Sequence, residues 1–311
     1  MPQFYVLVAL GLLCLGRGNS KPILWKEDDV IVVNYTTPEQ EMELFDFDLK
    51  LASPLKMSQI RYMANIFVGD NHACSGAYIR PFWILTSASC ISDYFEKDYV
   101  VYMGSSTLYG TDGQSRTVQK VISHKKFSEY PERNNIGLIK LSKPFNLGPT
   151  IAMIEVSSNI GDNRNCSLIG WGLTVLALQV ERQLVLEQVL VELMDGDYCQ
   201  LNFEAYEHPA DIDDSMICVE TEFLHEFCLA DVGTTLVCGG MLIGITSAYV
   251  RCLQSIPIIV FKVSHFSSWI EQKIAEYSIL EDEFDNNNRI NGQLTLPLLF
   301  TFLNKAFFQY R

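Results

Sequence analysis

Between Ile66 and Phe261 the chain is written in short apolar runs separated by Gly, Asn, Asp and Pro. Trp83–Thr86, Tyr99–Tyr102, Ile136–Leu141, Leu168–Gly172 and Met241–Ser247 are such runs. Runs this brief, bounded by turn formers, predict an all-β barrel or sandwich. After Val263 the period changes. Trp269, Ile270, Lys273, Ile274 and Tyr277 recur at helical spacing and Ser264 is placed as a cap, which predicts one terminal helix over Val263–Tyr277. Upstream, Val30–Val33 is a β-branched run. Phe45, Phe47, Leu49 and Leu51 alternate with Asp46, Asp48 and Lys50, the period of a half-buried strand. An edge strand laid against the main domain is the expected use of that segment, ahead of a strand offered to a partner.

The two ends read differently. Phe4–Leu15 is an unbroken apolar stretch followed by Gly16-Arg17-Gly18, the pattern of a secretory signal cut after Gly18 or, as the near alternative, after Ser20. The stretch is too short to span a bilayer, which needs about 20 apolar residues. At the other end, Glu281-Asp282-Glu283 and Asn286-Asn287-Asn288 make a polar linker. Leu294–Phe308 is then strongly apolar, interrupted by Pro297, Asn304 and Lys305. A chain ending Gln309-Tyr310-Arg311 lacks the apolar end of a lipid-anchor signal, so docking on its own domain or a partner is expected rather than membrane insertion. The expected division is a signal at 1–18, an acidic segment at 19–57, a main domain at 58–278, and the linker and tail at 279–311.

Hydrophobic residues at 48% and charged residues at 19% describe a globular protein. The formal charge of −14, with no basic run to offset it, argues against nucleic acid or an anionic membrane as the main partner. Cys14 falls in the signal. Cys74, Cys90, Cys166, Cys199, Cys218, Cys228, Cys238 and Cys252 remain, an even number that suggests disulfides in a secreted chain but does not fix their pairing. There is no Cys-x-x-Cys, so neither a metal nor a cofactor is expected. Asn34-Tyr35-Thr36 and Asn165-Cys166-Ser167 are glycosylation sequons of the same compartment.

Four stretches, in this order, resemble the trypsin/chymotrypsin serine protease family. Trp83-Ile84-Leu85-Thr86-Ser87-Ala88-Ser89-Cys90 resembles the strand ending Thr-Ala-Ala-His-Cys, and Asn134-Asn135-Ile136-Gly137-Leu138-Ile139-Lys140-Leu141 resembles Asn-Asp-Ile-Ala-Leu-Leu-Lys-Leu. Leu168-Ile169-Gly170-Trp171-Gly172 follows. Cys228-Leu229-Ala230-Asp231-Val232-Gly233-Thr234-Thr235-Leu236-Val237-Cys238 then resembles Cys-x-Gly-Asp-Ser-Gly-Gly-Pro-Leu-Val-Cys. The resemblance implies two packed six-stranded antiparallel β-barrels with a C-terminal helix. It also implies the pairs Cys74–Cys90, Cys166–Cys238, Cys199–Cys218 and Cys228–Cys252.

The same alignment puts Ser89 in the histidine slot, Asn135 in the aspartate slot and Val232 in the serine slot. Acyl transfer by this family needs a hydroxyl nucleophile, an imidazole base and a carboxylate that orients it. None of the three positions carries its group, so no peptidase activity is expected. Ala230 replaces the oxyanion-hole glycine. Tyr249 and Ile258 stand where the family keeps glycines around its specificity pocket, and Ala248 where it keeps a tryptophan, so a closed pocket is expected above Glu226. No basic residue followed by Ile-Val-Gly-Gly precedes Cys74. Asp231 therefore needs another partner than an activation-generated amine, and His72 is the expected one, a zymogen-like pair. The remaining histidines, His124, His208, His225 and His265, match no catalytic slot.

The expected function is a secreted, extracellular, non-catalytic homologue that binds another protein as cofactor, decoy or regulator. Silent members of the family are numerous in insects, in haemolymph cascades or in seminal fluid after mating. Without a clip domain, this chain leans to the reproductive role. A hydrolase with an unconventional site and a membrane-associated binder held by its tail are the alternatives.

Overall fold

The computed structural model describes residues 55–110, 112–157, 166–171, 184–205, 211–220, 232–247 and 257–278. It also describes, by backbone alone, short strands between 5 and 54 and at 173–176, 179–182 and 227–229. The chain divides into two compact units, 1–53 and 54–311. In the first, Tyr5–Ala9 pairs with Leu12–Gly16 and Trp25–Glu27 with Val30–Val32, both antiparallel. The alternating stretch Phe45–Leu51 lies outside the described residues.

The second unit holds two barrels. Met63–Val68 (β1), Asn71–Arg80 (β2), Trp83–Thr86 (β3), Tyr99–Met103 (β4), Gln114–Ser123 (β5) and Gly137–Leu141 (β6) close in the order β5-β6-β3-β2-β1-β4. Cys166–Gly170 (β7), Glu187–Met194 (β8), Met216–Glu220 (β9), Thr235–Cys238 (β10), Met241–Thr246 (β11) and Ile258–Lys262 (β12) run β7-β10-β11-β12-β9-β8. Pairing of β7 with β8 closes this second ring. All these pairings are antiparallel, so the expected pair of six-stranded barrels is what the chain forms. Closure leaves no barrel edge unpaired.

The apolar runs became the most deeply buried strands. Every residue of β3, β6 and β7 is buried. One core cluster contains Met63, Leu85, Ile136 and Leu138 of the first barrel together with Leu242, Ile259, Phe261 and Trp171 of the second. Each fully buried large apolar side chain contributes about 1.5–3 kcal/mol, so this shared core is the main force holding the barrels face to face. Disulfides link Cys74 to Cys90, Cys166 to Cys238 and Cys199 to Cys218, as the family pattern implied. The fourth expected pair, Cys228–Cys252, lies outside the side chains described.

Two short helices, Ala88–Ile91 (α1) and Gly196–Ala205 (α2), precede a terminal helix at 267–278 (α3). This corrects one detail of the sequence reading: α3 does not begin at Val263, and Ser264 is not its cap. Residues 263–266 leave β12 through tight turns bonded three residues apart, His265 to Lys262, Phe266 to Val263 and Ser267 to Ser264, before Ile270 makes a helical bond to Phe266. The helix packs on the first barrel. Lys140 Nζ donates to the Tyr277 carbonyl at 3.2 Å and lies over the Trp83 and Tyr277 rings. A cation on a helix C-terminus, with two aromatic faces around it, is favourably placed.

Lys140→Ala is expected to cost about 2 kcal/mol because it removes both the cap and a buried stem. Arg80→Ala breaks only the exposed pair with Glu271, 2.8 Å, and is expected to cost less than about 1 kcal/mol. Urea denaturation of the two variants decides between them; equal losses would mean the buried ammonium is not the anchor.

Candidate functional site

Ser89 and Asn135 meet at one end of the first barrel, and Val232 docks on β2 of the same barrel, each delivered by a different constraint. β3 ends on buried Thr86, whose hydroxyl donates to the Ser75 carbonyl at 2.7 Å. The chain then makes the single turn α1, which the Cys74–Cys90 disulfide fixes to β2, leaving Ser89 part-exposed. Asn135 is fully buried just before β6. It follows Asn134, the one described non-glycine residue at positive φ (50°), a conformation asparagine tolerates better than most residues.

Val232 precedes β10. Its carbonyl accepts from the Ser75 N–H at 2.9 Å, and its side chain packs against the core of the first barrel. Gly233, at φ +83°, bonds the Thr246 carbonyl through its N–H at 3.3 Å. There is no room for a side chain at that glycine: a Cβ would sit 2.6 Å from Thr86 Oγ1 and closer still to the Ser75 carbonyl oxygen.

Hydrogen bonds define the orientation of the Asn135 amide. Asn135 Oδ1 accepts the Ser89 backbone N–H at 2.8 Å, so its amide nitrogen faces the other way. That nitrogen donates to Ser89 Oγ at 3.0 Å and to Glu132 Oε1 at 2.5 Å. Ser87 and Ser89 hydroxyls lie 3.1 Å apart. Glu132 Oε2 accepts from the hydroxyl of Ser247, which is buried at the end of β11. The result is a chain of groups, Ser87–Ser89–Asn135–Glu132–Ser247, running from the first barrel to the second. Among the described residues, the Ser89 hydroxyl meets another hydroxyl and an amide N–H, neither of which can take its proton.

Glu132 and Ser247 were not singled out by the sequence. Ser247 ends an apolar run that was read only as a strand. Glu132 carries no local signal, because its role depends on the hairpin of Ser128–Glu129 with Glu132–Arg133 folding toward the second barrel.

His72 lies on β2, buried, with Nδ1 2.6 Å from Asn65 Oδ1. Asn65 donates its amide nitrogen to the Leu108 carbonyl at 2.8 Å, so Oδ1 is an acceptor and the hydrogen sits on His72 Nδ1. Ile258 is buried at the start of β12, opposite Val219. Asp231, Ala230, Glu226, Ala248, Tyr249, His208, His225, Asn34 and Asn165 lie outside the described residues. His124 sits against the rings of Phe266 and Trp269, and burial together with Lys126 and His265 depresses its pKa. Among the described residues, no three His, Cys, Asp or Glu side chains are placed to hold a metal, and no helix is long and apolar enough to cross a membrane.

From the second strand of the hairpin, Arg133 reaches across to the second barrel. Its guanidinium donates to the Asp211 carboxylate and carbonyl, and to Asp213 Oδ2 at 2.8 Å. Burial opposes ionisation of Asp213. Donors on Ser215 and the charges of Arg133 and His265 outweigh it and hold that carboxyl below its usual value.

The family model described as trypsin matches residues 52–270. Serine protease 1 of Rattus norvegicus is 29% identical over 80% of this chain and 92% of its own length. Trypsin II-P29 of Gallus gallus is 30% identical over 86% and 97%. Among solved structures, mouse neuropsin, a serine protease expressed in the limbic system, superposes with a TM-score of 0.63 at 25% identity, covering 72% of this chain and 98% of that one. The scabies mite inactivated protease paralogue S-D1 superposes at 0.65 with 21% identity, over 72% and 97%.

Proposed function

The chain belongs to the trypsin family of serine proteases, and on that premise we propose that it is a non-catalytic member that binds another protein. The observation that carries the reading is the Asn135 amide. Where catalysis needs a carboxylate that orients an imidazole, a neutral amide donates its own hydrogens to Ser89 and Glu132. The nucleophile position is an isopropyl group packed against the first barrel core. Ile258 is buried in β12 at a position where the family keeps glycine, and a specificity pocket closed above Glu226 by Ile258 and Tyr249 is part of the proposal.

The scabies mite protein is described as an inactivated protease, and it shares this fold. Loops on a rigid barrel scaffold keep their capacity for protein recognition when the chemistry is gone. Secretion is part of the proposal. Three disulfides persist best in an oxidising compartment, and the N-terminal apolar run has the form of a signal. The role as cofactor, decoy or regulator, in an extracellular protease cascade or in seminal fluid, rests on analogy with silent family members.

The zymogen-like pair belongs to the same reading. His72, whose Nδ1 hydrogen goes to Asn65, is the proposed partner of Asp231. No activation-type terminus with Ile-Val-Gly-Gly is encoded, and a buried carboxylate without a partner costs several kcal/mol.

A fluorophosphonate probe is expected to leave the secreted protein unlabelled, while an active trypsin in the same sample labels fully. Reproducible labelling of any Ser or Thr would revive the unconventional hydrolase. Liposome flotation with and without residues 294–311 separates the soluble binder from a tail-held one, and affinity purification from the native fluid identifies the partner.

A further inference from the structure

We propose that the hairpin Ser128–Arg133 is an intramolecular strap that closes the groove between the two barrels, with Glu132 as its plug and Arg133 as its latch. Glu132 and Arg133 are consecutive in the second strand of the hairpin, so their side chains leave opposite faces. Both end on the second barrel. Glu132 accepts from Ser247 at the end of β11, and Arg133 donates to Asp211 and Asp213 ahead of β9. The hairpin's root is on the first barrel, where Asn134 donates to the Lys126 carbonyl at 3.0 Å and Asn135 donates to Glu132. One hairpin thus crosses the groove and grips the far side at two separate points.

The receiving side is organised for the latch. Ser215 donates to Asp213 Oδ1 through both its N–H and its hydroxyl, which turns Oδ2 toward Arg133. The guanidinium takes three acceptors on that segment, a planar, charge-assisted contact in which direction matters as well as charge. The plug is equally specific. The Glu132 carboxylate sits beside Ser89 and Asn135, so an extended peptide laid between Asn135 and Ser247 meets a side chain already bonded to both. The groove of this protein is self-occupied, and a partner reaches its floor only when the strap lifts. This deepens the non-catalytic reading and rests on it.

Two measurements test the strap. Ser89→Cys places a thiol on the groove floor, and iodoacetamide alkylation is followed by mass spectrometry. Adding Arg133→Ala is expected to raise the alkylation rate at least about tenfold, since opening is a local equilibrium released by removing the latch. Equal rates in the two backgrounds overturn the proposal.

The second measurement leaves Ser89 in place. Hydrogen exchange in Arg133→Ala is expected to quicken together in 128–135 and 211–216 while β6 and β11 are unchanged. Faster exchange in the hairpin alone, or in neither segment, overturns it as well. Neither readout uses hydrolysis or fluorophosphonate labelling, so failure of the strap and failure of the non-catalytic reading are told apart.

Discussion

A variant carrying Ser89→His, Asn135→Asp and Val232→Ser together is expected to hydrolyse a small arginyl ester less than about tenfold faster than the unaltered chain, although a working triad is worth about 10⁶ in kcat. The obstacle is Glu132. Its Oε1 lies 2.5 Å from the Asn135 amide nitrogen, which is a donor; an aspartate there presents a second carboxylate oxygen instead. Two carboxylates at that separation cannot both ionise. The pair must therefore share a proton or separate, and an aspartate engaged with Glu132 in this way is poorly placed to orient an imidazole.

The same clash predicts a stability loss of about 3 kcal/mol for Asn135→Asp alone at neutral pH, because Asn135 is fully buried and a donor becomes a repelling charge. The sign with pH follows. The folded state raises a carboxyl pKa above its unfolded value, so it binds a proton more readily than the unfolded chain, and the penalty is relieved as pH falls through that raised pKa. Glu132→Gln in the same chain should recover most of the loss. Denaturant midpoints for the two single variants and the double variant check this; additive losses would remove Glu132 from the argument. Robust ester turnover by the triple variant would sink the first expectation outright.

Gly233→Ala is expected to cost at least about 3 kcal/mol, or to prevent folding, whereas Gly69→Ala should cost only about 1 kcal/mol. Both glycines have positive φ, 83° and 59°, so the backbone penalty is shared. The difference is space. A Cβ at Gly69 meets nothing within 4 Å, while at Gly233 it meets the Ser75 carbonyl and Thr86 Oγ1, which belong to β2 and β3 and are held by their own hydrogen bonds. The loop after Val232 is therefore built to dock against the first barrel. Equal unfolding midpoints for the two variants would show that the β2 backbone yields.

How much was legible in the chain varies by element. The strands β3, β6, β7 and β11 were readable because each is buried along all or nearly all of its length and leaves an apolar run. β5 was not readable. Gln114–Ser123 is mostly polar, with only Val118 and Ile122 buried, and it is a strand because β4 and β6 hydrogen-bond it from both sides. The start of α3 was misplaced for a related reason: periodicity marks which residues face the core, but the turns at 263–266 are set by how the chain leaves β12.

By itself, the sequence carried the resemblance that implies the two-barrel class and four disulfide pairs, three of which the described residues form. These follow from residue identity and order, which need no coordinates. Only the tertiary structure decided which groups surround Ser89 and Asn135. Glu132, Ser247, Arg133, Asp211 and Asp213 are scattered along the sequence, and each alone is an ordinary polar residue. Their meaning is a matter of distance and direction between two barrels. Hydrogen bonds act over about 3 Å, and no spacing along the chain encodes which of its remote segments will come that close.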